Sequence, residues 1–442
     1  MTTRILYVCD NRDVFSWGSR GSSIALGQQL IEHGTLTSLG RSWAINPVPA
    51  GPLVRRIHRT QYGGRVLARF VFPHRVIRRA LAALGNHADY VDTDPRRSLR
   101  RFLVEARRGG PLSWLLQQFV DADVVVINGE GSLVFRDPPP RDLGFQLFAV
   151  ELAAELGKPV GFINALASDC SYTGANPAVE EAVYRSLTKC SAVVTRDPFS
   201  RERLRHLGLG PVGLTPDSLF AWGERYGKFL DGSTGREAPE LFDSLPESDR
   251  FFDGWQNWPP EYVCVAGSSR HPYQSSAAWP AFFESLVLRI PKVTGLPVVL
   301  VDSGGDRATG GDLFLSEVAR RTGTIIIRPP VSLLMACYLV ANARAMVSGR
   351  FHPSIMASLG GTPCTFLECS AHKTLSLQHQ LEYAHPTLFP MDPAPGNLTA
   401  VLRHLEEQLA GGQRLRDRIR GVSAHLGAQV RQGIGDTMEA LH

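Results

Sequence analysis

The chain has 442 residues, ordinary apolar content and a net charge of +5, which predicts a globular protein of two domains and excludes wholesale disorder. No apolar run approaches the roughly 20 residues that a membrane-spanning helix needs, and the N-terminus has no signal-peptide pattern. The seven cysteines are scattered and form no CxxC pair, so neither a disulfide framework nor a zinc site is expected. Reduced thiols in a cytoplasmic protein fit this pattern.

The positive charge is concentrated between Arg55 and Arg108, where fourteen arginines stand against four acidic residues. This segment is too mixed with apolar residues for a nucleic-acid-binding tail, so nucleic-acid binding is not expected. Two interpretations stay open. The segment is either a solvated helical face or a surface that contacts anionic lipid at the inner face of the membrane.

The N-terminal region predicts a strand at 4–9 and a helix at 22–33. The polar residues between them predict a strand-to-helix loop, in which Gly18 and Gly21 would let a ligand approach the backbone. The loop lacks the GxGxxG pattern, so no dinucleotide site is expected. Substrate binding and a plain connection are both open for this loop.

The rest of the chain alternates strands with helices, which predicts two doubly wound, Rossmann-like parallel sheets. The predicted strands are 123–127, 159–163, 191–195, 262–266, 298–301, 324–327, 345–347 and 364–367. The predicted organisation is an N-terminal domain at 1–225 with an arginine-rich insertion at about 45–110, a linker at 226–260, a C-terminal domain at 261–400 and helices at 401–442. Two such sheets facing a cleft make a GT-B-like α/β architecture.

Polar residues follow several of these strands, and the carboxyl ends of strands are where α/β sheets bind ligands. Gly349, Arg350 and His352 lie between the strand at 345–347 and a predicted helix at 353–359. A guanidinium, an imidazole and the free N–H groups of a helix N-terminus suit a small, multiply charged anion.

The Arg350-Phe351-His352 turn resembles the polysaccharide pyruvyl transferase family, in which a small-residue helix and a downstream His-Lys pair follow. Three more stretches match in order: Asn128-Gly-Glu-Gly-Ser, Thr195-Arg-Asp-Pro followed by Pro216-Asp217, and His372-Lys373. The resemblance implies transfer of enolpyruvate from phosphoenolpyruvate to two hydroxyls of a free or lipid-linked sugar, forming a cyclic ketal. Phosphoenolpyruvate would be the donor substrate, with no cofactor.

This chemistry needs fixed cations for a carboxylate and a phosphate, and a proton donor near neutral pH. Arg350 and Arg196 are the candidate cations, because a guanidinium binds oxyanions bidentately and stays charged. His352 is the candidate general acid; a capping or core histidine is the alternative.

Further substrate contacts are expected from a larger set, which comprises Asn128, Gly129, Glu130, Gly131, Ser132, Asp197, Asp217, Gly349, His372, Lys373, Trp17 and Arg20. The two aspartates can equally serve as helix caps or turn residues. Glu130 can accept a hydroxyl proton, although the family more often has glycine there. Asp302 and Asp306 flank two glycines, a pattern too weak to predict a magnesium site, so no metal is expected.

Two other functions remain open. A GT-B glycosyltransferase would use a nucleotide-sugar donor, with Glu368 as the candidate ribose partner. A sugar-binding protein that has lost activity would keep the fold, but the Arg350-Phe351-His352 turn has no evident packing reason and argues against it.

Overall fold

A computed structural model of the chain describes residues 2–14, 16–40, 90–109, 111–137, 139–170, 174–230, 258–269, 278–304, 313–328 and 331–442. Most of the predicted insertion at 45–110 and most of the predicted linker at 226–260 lie outside these residues. The chain divides into two compact units. Unit 1 comprises Met1–Asp13, Gly27–Thr215 and Gly433–His442, and unit 2 comprises Val14–Leu26 and Pro216–Gln432.

Unit 1 is built on a six-stranded sheet with the order β2-β1-β3-β5-β7-β8, in which every pair is parallel. Its strands are β1 (Arg4–Asp10), β2 (Thr35–Gly40), β3 (Val124–Asn128), β5 (Val160–Ala165), β7 (Ala192–Thr195) and β8 (Gly213–Leu214). A separate parallel pair joins β4 (Leu133–Phe135) and β6 (Ala167–Asp169). The central strand β3 is buried along its whole length, as its run of β-branched residues predicts.

The helices of this part of the chain begin at a proline or an arginine, except the first. They are α1 (Trp17–Leu30), α2 (Pro95–Ala106), α3 (Pro111–Asp121), α4 (Arg141–Glu155), α5 (Pro177–Leu187) and α6 (Pro198–His206). Asp94, Asn176 and Asp197 cap the helices that follow them by accepting a backbone N–H, the usual way to satisfy a donor at a helix start. Helix α1 begins in unit 2 and ends in unit 1.

Unit 2 is built on a five-stranded sheet with the order β11-β10-β9-β12-β13, again all parallel. Its strands are β9 (Val263–Ser268), β10 (Val298–Val301), β11 (Ile325–Ile327), β12 (Ala345–Gly349) and β13 (Cys364–Phe366). Strands β10 and β11 are added in chain order on one side of β9, and β12 and β13 are then added on its opposite side. The sheet order therefore reverses between β9 and β12, and such a switch point is where open α/β sheets bind ligands.

The helices that follow in chain order are α7 (Trp222–Arg225), α8 (Gly227–Leu230), α9 (Ala278–Thr294), α10 (Leu313–Thr322), α11 (Leu333–Ala341), α12 (Phe351–Leu359), α13 (Lys373–Gln380), α14 (Pro395–Ala410) and α15 (Gly412–Leu441). A 3₁₀ turn at Ser218–Ala221 precedes α7. Within the described ranges, no helix is both long and apolar enough to cross a bilayer.

The observed elements confirm the predicted α/β class with two parallel sheets. Helix α1 differs from prediction, because it begins at Trp17 rather than at residue 22. Strand β2 was not predicted, because it is a sheet-edge strand with exposed polar positions and no apolar run. All seven cysteines lie in the described residues without forming a disulfide, and burial raises the pKa of Cys364 to about 12.

Candidate active site

The switch point of unit 2 brings Gly349 against strand β9. Gly349 pairs with Ser268, and a Cβ on Gly349 would lie 2.7 Å from Oγ of Ser268 and 2.9 Å from the carbonyl oxygen of Glu368. Only glycine fits this close approach of three strand ends. The turn that follows therefore starts from a fixed position.

Arg350 is the N-cap residue of α12, but its side chain does not cap the helix. Oγ of Ser348 accepts the Arg350 N–H at 3.0 Å and donates to the Arg350 carbonyl oxygen at 3.1 Å. Oγ of Ser354 donates to the same carbonyl oxygen at 2.7 Å. Two serines thus hold the Arg350 backbone, and the half-buried side chain of Arg350 does not cap the helix.

His352 lies in the first turn of α12, because the helix begins at Phe351 rather than at the predicted residue 353. Its Nε2 lies 3.4 Å from Oδ2 of Asp217, whose side chain is fully buried. Oδ1 of Asp217 accepts the Leu219 N–H at 3.0 Å, which orients the carboxylate. A carboxylate and an imidazole that are distant in sequence therefore meet in unit 2.

Helix α1 forms the other side of this histidine. A Cβ on Gly18 would lie 2.6 Å from Nδ1 and 2.7 Å from Cγ of His352, and a Cβ on Gly21 would lie 3.1 Å from Leu219. The prediction that these glycines lie in a strand-to-helix loop is wrong. They are helical, and they allow α1 to pack against α12 and the 3₁₀ turn.

Trp17 and Arg20 lie in the first turn of α1, not in a loop. The Trp17 side chain is 1% exposed, and its backbone N–H donates to the carbonyl oxygen of Ser303 at 2.9 Å. Arg20 is half-buried, and this burial lowers the pKa of its guanidinium. His372 is the N-cap residue of α13 and Lys373 its first residue; both are partly exposed.

Unit 1 carries a second polar cluster, at the carboxyl ends of four neighbouring strands. Nδ2 of Asn11, just after β1, donates to Oε2 of Glu130 at 3.1 Å. Oδ1 of Asn128 accepts the Glu130 N–H at 3.2 Å and Nδ2 of Asn164 at 3.3 Å. Nη1 of Arg196 lies 3.5 Å from Oε1 of Glu130. The cluster spans the switch point between β1 and β3.

The two glycines of the 128–132 stretch allow a backbone conformation and a close packing contact that other residues would not. Gly131 has φ of 69°, a conformation that favours glycine, and a Cβ on Gly129 would lie 2.8 Å from Cβ of Ala165. Oγ of Ser132 donates to the Glu130 carbonyl oxygen at 3.1 Å and accepts Nε2 of Gln146 at 3.1 Å. These contacts hold the turn that carries Glu130.

The two predicted aspartates differ in what they bind. Asp197 caps α6, since Oδ1 accepts the Ser200 N–H at 2.9 Å and Oδ2 accepts the Ser200 hydroxyl at 2.6 Å. Asp217 caps the 3₁₀ turn and also contacts His352. These hydrogen bonds make Asp197 a helix cap, whereas Asp217 has a contact beyond capping.

Arg196 is fully enclosed, with 0% of its side chain exposed, and Glu130 is 7% exposed. A buried cation beside a carboxylate is the expected arrangement, because an isolated charge in the interior is costly. Arg196 thus belongs to the polar cluster of unit 1, whereas Arg350 is the more exposed of the two predicted anion-binding cations.

Sequence reasoning missed Asn11, Asn164 and Gln146. Two of them could have been found from their positions: Asn11 and Asn164 lie at the ends of β1 and β5, the strands that pair with β3. Gln146 lies inside α4, where its Nε2 donates to the Asn128 carbonyl oxygen at 2.8 Å; no local pattern reports such a contact. Among the described residues, no group of three metal-binding side chains occurs, and Oδ1 of Asp302 accepts the Gly304 N–H at 3.1 Å.

Solved structures similar to this chain share its fold at low sequence identity. A putative UDP-N-acetylglucosamine 2-epimerase from Listeria monocytogenes is 10% identical, with a TM-score of 0.52 over 99% of this chain and 97% of that one. The UDP-GlcNAc 2-epimerase of Methanocaldococcus jannaschii, in complex with UDP-GlcNAc and UDP, is 10% identical, with a TM-score of 0.51 over 91% and 92%. A UDP-forming trehalose-phosphate synthase from Burkholderia vietnamiensis is 10% identical, with a TM-score of 0.50 over 99% of each chain. These similarities confirm the GT-B-like fold and no more.

No protein with a curated description matches the chain. The sequence profile described as "Polysaccharide pyruvyl transferase" matches residues 72–370, a range that includes Glu130, Arg196, Asp217, Arg350 and His352. Because this match covers well over half of the chain, the protein belongs to the polysaccharide pyruvyl transferase family of transferases.

Proposed function

We propose that this transferase takes its pyruvyl group from phosphoenolpyruvate and forms a cyclic ketal on a sugar. The observation that carries the proposal is the first turn of α12, where Arg350 and His352 follow the switch point of the unit 2 sheet. The family match supports the reaction class. The donor, the acceptor and the residue roles are our inferences.

Phosphoenolpyruvate carries two anionic groups on three carbons, so binding it needs cations that stay charged. Arg350 is the first, since its backbone is held by Ser348 and Ser354 while its guanidinium is not used as a cap. Arg196 is the second candidate. Its guanidinium is buried beside Glu130, so this role requires a rearrangement that exposes it to the ligand.

The reaction needs a proton at the CH2 carbon of phosphoenolpyruvate. In the proposed mechanism the His352 imidazolium gives up that proton, the enol π electrons form the new C–H bond, and the cation that develops at C2 is attacked by a sugar hydroxyl. Phosphate then leaves, and a second hydroxyl of the same sugar closes the ketal. Each hydroxyl loses one proton; Glu130 is the candidate to accept one of them, and the other leaves with the phosphate as hydrogen phosphate.

The remaining predicted substrate contacts keep that proposed role. They are Asn128, Gly129, Gly131, Ser132, Asp197, Asp217, Gly349, His372, Lys373, Trp17 and Arg20. We assign the strand-end residues of unit 1 other than Arg196 to the sugar acceptor, because amide and carboxylate groups suit hydroxyl recognition. The α12 turn of unit 2 is assigned to phosphoenolpyruvate, with no cofactor or metal.

We also propose that the protein works in the cytoplasm and that the segment 55–108 contacts the anionic inner face of the membrane. Most of this segment lies outside the described residues. Its described part includes exposed arginines on or just after α2, at 96, 97, 100, 107 and 108. Such a surface attracts anionic lipid at low ionic strength.

The competing function is a glycosyltransferase that uses a nucleotide sugar. The specific observation in its favour is that a protein of the same fold was solved with UDP-GlcNAc and UDP. A nucleotide sugar needs a ribose partner and a base pocket, and Glu368 is the candidate that the sequence offers for the ribose. The Arg350–His352 turn suits a compact dianion better.

Ligand-induced thermal stabilisation distinguishes the two donors. A ligand that binds only the folded protein stabilises it by about 2.7 kcal/mol at a hundredfold excess over Kd. Phosphoenolpyruvate should therefore raise the unfolding midpoint without added metal, and UDP- and GDP-sugars should not. Arg350→Ala should abolish the shift, whereas Arg289→Ala, which removes an exposed arginine of α9, should keep it.

Stabilisation by a nucleotide sugar, with none from phosphoenolpyruvate, would overturn the proposed donor. A shift from phosphoenolpyruvate that survives in Arg350→Ala would instead remove Arg350 from the site. The direct test of the reaction is mass spectrometry of a sugar acceptor incubated with phosphoenolpyruvate and the enzyme.

A further inference from the structure

His352 is enclosed from two sides, by helix α1 and by Asp217. Helix α1 fills one side, where the imidazole occupies the space that a Cβ on Gly18 would need, 2.6 Å from Nδ1. Asp217 stands on the other side, with Oδ2 3.4 Å from Nε2. Gly18 lies outside the matched range 72–370.

The two sides are also tied to each other. Ser22 lies one turn after Gly18 on α1, and Ser218 directly follows Asp217. The Ser218 hydroxyl donates to the Ser22 carbonyl oxygen at 2.6 Å, and the two hydroxyl oxygens lie 3.0 Å apart. Both serines are buried. These contacts fix the distance between α1 and the Asp217 turn, and the imidazole occupies the space between them.

The Asp217 carboxylate is itself oriented. Its side chain is 0% exposed, and Oδ1 accepts the Leu219 N–H at 3.0 Å, so Oδ2 is the oxygen that faces the imidazole. An ionised carboxylate only accepts hydrogen bonds, so Nε2 facing it is the ring nitrogen that carries a hydrogen. An orienting carboxylate of this kind selects one imidazole tautomer and ring position.

We propose that Gly18 and Asp217 are positioning residues for His352: Asp217 keeps the hydrogen on Nε2, and Gly18 leaves the space in which the ring lies. This inference rests on the proposed function, in which His352 transfers the proton. Neither residue needs to touch the substrate. The first turn of α1, which lies outside the matched range, thereby helps to position the catalytic histidine.

Histidine tautomers and ring environments are measured by NMR of protein labelled with ¹⁵N-histidine, without substrate. The His352 signals are assigned by their loss in His352→Gln. In the wild type, Nε2 should be the protonated nitrogen of neutral His352. Asp217→Asn replaces the acceptor by an amide of the same shape, so it should shift the tautomer toward Nδ1–H and lower kcat by ~10²–10⁴-fold, while KM for phosphoenolpyruvate changes little.

Gly18→Ala should displace the ring, change its NMR signals and lower kcat by about 10²-fold, the effect of a misplacement near 1 Å. Gly27→Ala is the matched control on the same helix, since its Cβ would lie 3.7 Å from Leu36 and Tyr7, an ordinary contact. That variant should keep the wild-type signals and kcat. If Gly18→Ala does not fold, Asp217→Asn decides the question alone.

Unchanged His352 signals in Asp217→Asn would overturn the inference whatever the activity, and so would altered signals with wild-type kcat. A different result concerns the proposed function. Wild-type turnover of His352→Gln would remove the histidine from proton transfer, while the NMR signals would still report whether Asp217 and Gly18 position it.

Discussion

Arg416 of α15 binds the C-terminal ends of two helices of unit 2, and its removal is predicted to destabilise that unit. Its Nη1 donates to the Ala343 carbonyl oxygen at 2.5 Å, and its Nη2 donates to the carbonyl oxygens of Ala341 and Gly360, each at 3.3 Å. Ala341 ends α11, and Gly360 is the C-cap residue of α12. A cation at these positions satisfies carbonyl groups that no helical N–H reaches.

The size of the effect follows from what remains after the side chain is removed. Oγ1 of Thr362 still donates to the carbonyl oxygens of Ala341 and Ala343, at 2.7 and 2.9 Å, and Nη2 of Arg420 still donates to that of Gly360 at 3.1 Å. The Thr362 hydroxyl carries one hydrogen and serves one of its two carbonyl oxygens at a time, so the loss is mainly that of the charged hydrogen bonds. One short bond at about 1.5–3 kcal/mol, with a small addition from the two long ones, gives a loss of about 2–3 kcal/mol for Arg416→Ala.

Burial disfavours the charged form of Arg416 and lowers its pKa. The decrease in the free energy of unfolding in Arg416→Ala therefore stays at the low end of what three charged hydrogen bonds would give. For a unit of this size, 2–3 kcal/mol corresponds to a fall of about 4–12 °C in the unfolding midpoint. Arg416→Lys should be intermediate, because one ammonium group cannot reach three carbonyl oxygens.

The assay is thermal unfolding of Arg416→Ala beside Arg414→Ala, which removes an exposed arginine of the same helix. Arg414→Ala should stay within about 2 °C of the wild type, since surface substitutions rarely change stability by more than about 0.5 kcal/mol. Equal midpoints for the two variants would refute the reasoning. Catalysis well below the midpoint should change little in Arg416→Ala, because Ser348 and Ser354 hold the other end of α12.

Two further predictions concern pH and lipid. Burial lowers the pKa of His404, whose Nδ1 lies 2.9 Å from Oγ1 of Thr365. The unfolded chain therefore binds more protons than the folded one. The contribution of this histidine to stability is present above its unfolded pKa of about 6.5 and is lost as the pH falls below that value. His404→Gln should thus lose less stability than the wild type between pH 7.5 and 5.5 in urea unfolding, and parallel losses would contradict this. If 55–108 contacts the membrane, the protein should co-sediment with anionic vesicles at low salt and detach as ionic strength rises; equal indifference to anionic and neutral vesicles would leave a merely solvated surface.

Local patterns of residues suffice to predict the α/β class, most strand positions and the α12 turn. The reason is local. Buried parallel strands are continuous apolar runs, as in β3 and β9, and the residue after such a run lies at the edge of the sheet where ligands bind. Arg350 and His352 could be selected on this ground alone.

The start of α1 and the surroundings of His352 depend on tertiary packing between distant parts of the chain. Gly18 and Gly21 favour a loop when judged by propensity, since glycine costs about 1 kcal/mol in a helix; packing against α12, which tolerates no Cβ at residue 18, overrides that preference. The same holds for Asp217 beside His352 and for Glu130 beside Arg196. These pairs join residues far apart in the chain, and their contacts depend on how the strand ends meet, which no local pattern of residues specifies.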